Sequence, residues 1–306
     1  MKRSCLTIGA FDGVHLGHAR LIKAAVAEGR ARGWKNSLVY FPLPPKFVFS
    51  GTHDNCLVTL PSEREAMLRA LGPDAVTPMP FTDEIASMDA ESFFAEIVRG
   101  RFRADGLCVG ADFAFGRGRS GGADFLRAAC RRKGMLFRSV PFVSRGGRKI
   151  SSTLLRELLW DGKVERAAAC MGRNYSVRGP VIRGAGLGRK LGYPTANIGA
   201  DPLKILPPGI FAARCRVDGE EFPCVANCGR RPTVNTLGGR MLLEAHILDF
   251  SREIYGETVE VEFLKRIREE ERFPSKEALV KAIDGDISAA RSYFRRAAGA
   301  ASPRQP

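Results

Sequence analysis

No run of about 18 apolar residues occurs anywhere in the sequence, so no membrane-spanning helix is expected. Lys2 and Arg3 open the chain, but the apolar stretch behind them breaks at Gly9 and Asp12 and is too short for a signal peptide. Pairs of the C-x-x-C type are missing as well. Of the eight cysteines only Cys224 and Cys228 lie close, four apart and with no second ligand pair, so zinc is not expected. Others sit in apolar runs such as Leu107-Cys108-Val109, where a free thiol behaves as a small core residue, and a reducing cytoplasm is the expected location. Low-complexity sequence is absent until Ala298 to Pro306, a tail expected to fray. No repeated alternation of aromatic and basic residues marks a single-strand nucleic-acid groove.

What is present is a chain of 306 residues, 44% hydrophobic, long enough for two domains with a core each. The net charge of +15 comes from dispersed residues with short clusters such as Arg131-Arg132-Lys133. It suits a solvated basic surface or a polyanionic partner, nucleoside triphosphates as well as nucleic acid, and decides nothing alone.

The first half alternates strand and helix. Strands are expected at 6–8, 37–41, 107–109 and 136–142, and helices at 18–31, from a capping box at Ser62, at 89–99 and at 123–133. That order implies an α/β domain with a parallel, Rossmann-like sheet. After Arg173 the texture changes to strands at 175–182, 211–217, 241–248 and 258–264 with no helix between them. Pro274-Ser275 then caps a closing amphipathic helix. A small antiparallel β-barrel with a C-terminal helix is expected, and the domains divide as 1–172 and 173–306.

Two constellations carry chemistry. Gly9-Ala10-Phe11-Asp12-Gly13-Val14-His15-Leu16-Gly17-His18 joins the first strand to the first helix and holds two of the four histidines. Unpaired N–H groups at a helix start favour anions, and two imidazoles there can stabilise charge on a leaving pyrophosphate. A capped turn with incidental histidines is the plainer alternative, disfavoured by strand, glycines and helix in register. Lys149 to Arg156 opens another helix with Ser151, Ser152 and Thr153; alone it reads as an N-cap, and beside the histidines as a phosphate clamp.

The first motif resembles the H-x-G-H signature of the nucleotidyltransferase superfamily, and Ile150 to Arg156 its second motif. Residues 81–88 and 109–116 resemble bifunctional bacterial riboflavin kinase/FAD synthetases. The resemblance implies direct attack of the FMN phosphate on the α-phosphorus of ATP. It places His15 and His18 on the phosphates, Asp112 in the active site, Gly9 and Phe11 in the nucleotide loop, and Lys149, Ser152, Thr153 and Arg156 in the clamp. Ala10 and Leu43 depart from the family pattern, which expects Asn or Val at the first position and commonly His at the second. They leave open a monofunctional riboflavin kinase with a decayed first domain.

Residues 184–197 hold the densest glycine cluster. It lacks the Gly-Lys-Ser/Thr ending of a P-loop and is expected to follow a strand without opening a helix. It reads as a flexible connection or as a lid over phosphates, with Gly184, Gly186 and Gly188 in the lid. Thr195 and Asn197 are hard oxygen ligands suited to Mg²⁺. This stretch, residues 227–233, 243–250, 254–256 and 263–273 resemble the riboflavin kinase module. By that resemblance Glu244 is the general base toward the ribityl 5′-hydroxyl, while His246 is expected to be structural. The implied activity is phosphorylation of riboflavin and then adenylylation of FMN to FAD. Riboflavin, FMN and ATP are the expected partners, with neither nucleic acid nor membrane. A nucleic-acid-binding protein is the alternative from another class. Oligomeric state is not legible in the sequence.

Overall fold

Side chains along the first strand alternate between two cores. Leu6 and Ile8 are buried with Val39, Phe94, Leu107 and Val109, whereas Cys5 is buried with Leu38, Cys108 and the helical residues Ile22 and Val26. A strand apolar on both faces belongs inside a parallel sheet covered on both sides, and the computed structural model has that arrangement. It describes residues 3–48, 54–184, 186–231 and 240–301; Ala185, Pro232 and Thr233, part of the motifs above, lie outside them. The chain forms two compact units, Met1–His53 with Leu57–Leu155, and Asp54–Cys56 with Arg156–Pro306.

In the first unit β1 (Ser4–Gly9), β2 (Lys35–Tyr40), β3 (Ala75–Pro78), β4 (Gly106–Gly110) and β5 (Leu136–Val140) form a parallel sheet. Their order is β3-β2-β1-β4-β5, so the winding reverses between β1 and β4. Ligand crevices in open α/β sheets lie at that reversal, outside the carboxyl ends of the strands. The histidine motif follows β1 and Asp112 follows β4. The connections hold α1 (Leu16–Ala31), α2 (Pro45–Val48), α3 (Pro61–Ala70), α4 (Asp83–Ser87), α5 (Ala90–Ser92) and α6 (Ala123–Arg132). A hairpin, β6 (Ser144–Arg145) and β7 (Arg148–Lys149), precedes α7 (Ser152–Trp160), within which the units divide.

The second unit continues with α8 (Val164–Met171) and a closed antiparallel barrel. Its strands are β8 (Tyr175–Ile182), β9 (Ala196–Ile198), β10 (Gly209–Val217), β11 (Glu220–Arg231), β12 (Arg240–Ile247) and β13 (Thr258–Arg268), closed in the order β10-β11-β12-β9-β8-β13. Phe263 packs against Tyr175 and Phe211 in the barrel core, and α10 (Lys276–Ala301) lies on the outer face, where Ala290 is buried with Ile210, Ala212 and Val225. Ser275 Oγ accepts the Ala278 N–H at 3.2 Å, the expected cap.

Several expected elements differ in detail. α1 starts at Leu16 rather than His18, because the His15 ring serves as its N-cap. α3 is capped by Leu60, whose N–H is accepted by Glu63 at 3.0 Å with Pro61 in the first turn, so Ser62 is not the cap. The helix expected over 89–99 widens into a π-helix at Phe93–Arg101, which turns Phe93, Phe94, Ile97 and Val98 all toward the core. The glycine cluster does open a helix, the single turn α9 (Leu187–Lys190). α10 runs through Ala301, so the tail expected to fray from Ala298 is helical to that point.

Candidate active sites

The loop after β1 is held in an unusual conformation. Phe11, Gly13 and Val14 have φ of +50°, +84° and +37°, two of them at residues with side chains, as happens where a loop is over-determined by its surroundings. The Phe11 ring lies over Gly9, where a Cβ would come within 2.9 Å of it. His15 and His18 stack with ring centroids 3.5 Å apart, and Phe11 meets His18 edge-on at 5.2 Å. The His18 N–H donates to His15 Nδ1 at 3.2 Å, so the neutral His15 ring carries its proton on Nε2. Burial pushes the His15 imidazole down to about 4, against the upward pull of Asp12 and Asp112 and with a further push down from Lys149. At neutral pH it is therefore an uncharged N–H donor.

The second motif abuts this loop. Ser152 Oγ donates to the Asp12 carbonyl at 2.8 Å, and a Cβ on Gly13 would collide with Leu155. Ser151 Oγ accepts the Leu154 N–H at 3.2 Å and caps α7, which leaves Ser152 for the tie. Lys149 pairs with Asp112 and lies 5.5 Å from the exposed Phe142 ring. Thr153 is exposed at the start of α7. Arg156 is 2% exposed, donates from Nε to the Cys56 carbonyl at 2.8 Å, and opens the other compact unit.

Sequence reading missed the pair that fixes the loop. Asp12 and Arg64 form an ion pair at 2.9 Å with both side chains wholly buried. Asp12 also accepts from the N–H groups of Val58 and Thr59, and Arg64 donates to the carbonyls of Ala10, Phe41, Pro42 and Thr59. One guanidinium thus holds the ends of the β1 and β2 loops together. The Ala10 departure adds its carbonyl to this hub rather than a side-chain ligand.

On the barrel, Glu244 of β12 pairs with Asn227 on β11 and with Asn197 on β9, a carboxylate between two amides in one row. All three face a cavity of about 340 Å³ whose opposite wall is the apolar face of α10 with Leu279, Ile283 and Ile287. Arg268 grips Asp286 of α10 with two bonds of 2.8 Å and fixes that wall. Ala245 and Ile247, which alternate with Glu244 and His246 along β12, line a second cavity of about 430 Å³ with Arg189, Arg252, Phe250 and Tyr255. Thr195 lines both. Gly184 lets the Asn197 amide close in, since a Cβ would come within 2.4 Å of it, and Gly186 and Gly188 line the first cavity. His246 Nδ1 donates to the Pro194 carbonyl at 2.8 Å, and the Tyr193 hydroxyl to Asp284 at 2.6 Å, so the strand base and α10 both latch the segment before Thr195.

The family model of FAD synthetase matches residues 1–154, and that of riboflavin kinase residues 171–294. Curated bifunctional riboflavin kinase/FMN adenylyltransferases match over nearly their whole length. The protein of Haemophilus influenzae is 35% identical over 96% of this chain and 95% of its own. That of Bacillus subtilis is 30% identical over 95% and 93%. The chain belongs to the bifunctional riboflavin kinase/FMN adenylyltransferase family. A solved structure of a macrolide-efflux protein from Streptococcus pneumoniae superposes with a TM-score of 0.85 at 30% identity, covering 95% of this chain and 94% of that one.

The structure of this family member brings most of the expected residues together in two groups. Gly9, Phe11, His15, His18, Asp112, Lys149 and Ser152 surround the sheet reversal of the FAD synthetase domain. Gly186, Gly188, Thr195, Asn197 and Glu244 line one cavity of the riboflavin kinase domain. Asn227 opens the stretch 227–233 that resembles the riboflavin kinase module but has no role assigned there; its register opposite Glu244 singles it out.

Proposed function

We propose that the protein phosphorylates riboflavin with one ATP and adenylylates the resulting FMN with another, the kinase in 173–306 and the adenylyltransferase in 1–172. Its proposed setting is the cytoplasm, with neither nucleic acid nor membrane as a partner. The observation that carries the kinase reading is the placement of Thr195 between two cavities on opposite faces of β12. The cavity with Arg189, Arg252 and two aromatic rings suits a nucleotide with its triphosphate, and the one walled by apolar α10 residues suits a flat isoalloxazine. Glu244, facing the latter, takes the proton from the ribityl hydroxyl as the hydroxyl oxygen attacks the γ-phosphorus of ATP and the bond to the β,γ-bridging oxygen breaks, releasing ADP.

The Thr195 hydroxyl and Asn197 carbonyl fit a hard cation that keeps water and phosphate in its remaining positions, and among the described residues no acidic cluster forms a complete metal cage. Mg²⁺ held there would neutralise charge on the transferring phosphate. In the adenylyltransferase, His15 donates from Nε2 and His18 stacks behind it, so both can stabilise the leaving pyrophosphate. Lys149, Ser152 and Thr153 belong to the same proposed clamp and Asp112 orients Lys149, whereas Arg156, expected there as a cation, is buried against the Cys56 carbonyl and is left out of it.

Among the described residues no helix is long and apolar enough to cross a membrane. Incubating purified protein with riboflavin, ATP and Mg²⁺ and separating the flavins over time tests the proposal. FMN should rise first and FAD follow; FMN without FAD would favour the monofunctional kinase, and neither product would reject the reading.

A further inference from the structure

Asn227 stands beside Glu244 with its amide oxygen buried, and no described residue donates a hydrogen bond to it. Its neighbours differ. Asn197, on the other side of Glu244, is packed against Gly184, and His246 spends its Nδ1 proton on Pro194. A buried acceptor without a donor is an uncommon feature in a folded protein and calls for one from a bound molecule. Asn227 lines the cavity, so an occupant of the cavity can supply the donor once the amide turns its oxygen toward it.

The chemistry of the possible occupants narrows the choice. A triphosphate at neutral pH offers no hydrogen-bond donors and a cation on Thr195 and Asn197 only its few waters, whereas a polyol chain offers several donors in succession. Paired residues on adjacent strands have Cβ atoms roughly 5 Å apart, within reach of neighbouring hydroxyls on one carbon chain. We infer that Asn227 Oδ1 accepts a hydrogen bond from the ribityl hydroxyl next to the one Glu244 deprotonates, and so aims the attacking oxygen. Glu244 then holds the reacting hydroxyl and Asn227 the adjacent one, a two-point grip that fixes the chain's rotation. This inference rests on the reading of the α10 cavity as the flavin site.

Riboflavin and lumiflavin, which has the same ring system without the polyol, separate the ring from the chain. Both are titrated by quenching of flavin fluorescence against wild type and Asn227→Ala. Wild type is expected to bind both, and Asn227→Ala to bind riboflavin about tenfold more weakly, a change of about 1.4 kcal/mol, with lumiflavin unchanged. Equal weakening of both flavins, no weakening of either, or a shift in the Mg²⁺ activation midpoint with riboflavin binding intact would overturn the inference while leaving the flavin site standing. Wild type that binds neither flavin would overturn the cavity reading and the inference together. If Asn227→Ala has a lowered thermal midpoint, Asn227→Leu, which keeps the shape and removes the acceptor, is judged by the same criterion.

Discussion

Ser152 Oγ donates to the backbone carbonyl of Asp12 across 2.8 Å, joining two motifs that lie 140 residues apart in the chain. The bond sets the start of α7 against the loop that carries both histidines. Ser152→Ala removes one neutral hydrogen bond, worth about 1 kcal/mol. FAD formation from supplied FMN should slow about fivefold to tenfold with riboflavin phosphorylation unchanged, as initial rates on each substrate will show.

Arg64 and Asp12 form the buried centre of the same domain. Removing one member leaves a charge without its counterion in the interior, which costs about 3–5 kcal/mol. Arg64→Ala should lower the unfolding free energy of the first domain, read from its urea transition, by that amount. Trp34 fluorescence can report it in a Trp160→Phe background, since the two tryptophans lie in different compact units. An unfolding curve within about 1 kcal/mol of wild type would deny the pair its organising role.

The buried His15 ring links stability to acid. Its folded value of about 4 lies below the ordinary 6.5, so between the two the unfolded chain binds the proton more readily. Stability from the neutral ring is complete above pH 6.5 and is lost as pH falls from there toward 4, on the order of 3 kcal/mol in all. His15→Gln should remove that part of the acid-side decline, seen as a shallower fall in unfolding free energy between pH 6.5 and 4.5. Parallel curves for variant and wild type would contradict it.

The latch from His246 to Pro194 requires only an N–H at Nδ1, which an Asn side chain can also present. His246→Asn should keep most kinase activity. His246→Phe should lower kcat/KM for ATP about fivefold to tenfold, the worth of one hydrogen bond. Equal losses in the two variants would point to a role for the ring beyond the latch.

How much could be read in advance depended on whether a feature was local. Alternating strands and helices, the change of texture after Arg173 and the Ser275 cap are short-range patterns, and they led to the two architectures. β9 and β11 escaped notice because β9 has three residues and β11 carries Pro223 and charged ends. The true start of α1 was hidden because histidine is not a usual cap, and α9 because glycines flank its single turn. Arg64 and Asn227 acquire meaning only from partners far away in sequence, Asp12 at a separation of 52 residues for one and Glu244 by strand register for the other.

The central claim, two separate chemistries on two domains, is tested most directly by supplying each substrate to the matching variants. Glu244→Gln should lose at least about a hundredfold in riboflavin phosphorylation, the usual contribution of a general base, and still convert FMN to FAD at the wild-type rate. The double variant His15→Ala with His18→Ala should accumulate FMN from riboflavin and form no FAD. Loss of both activities in either folded variant, or undiminished FAD formation without the two imidazoles, would contradict it.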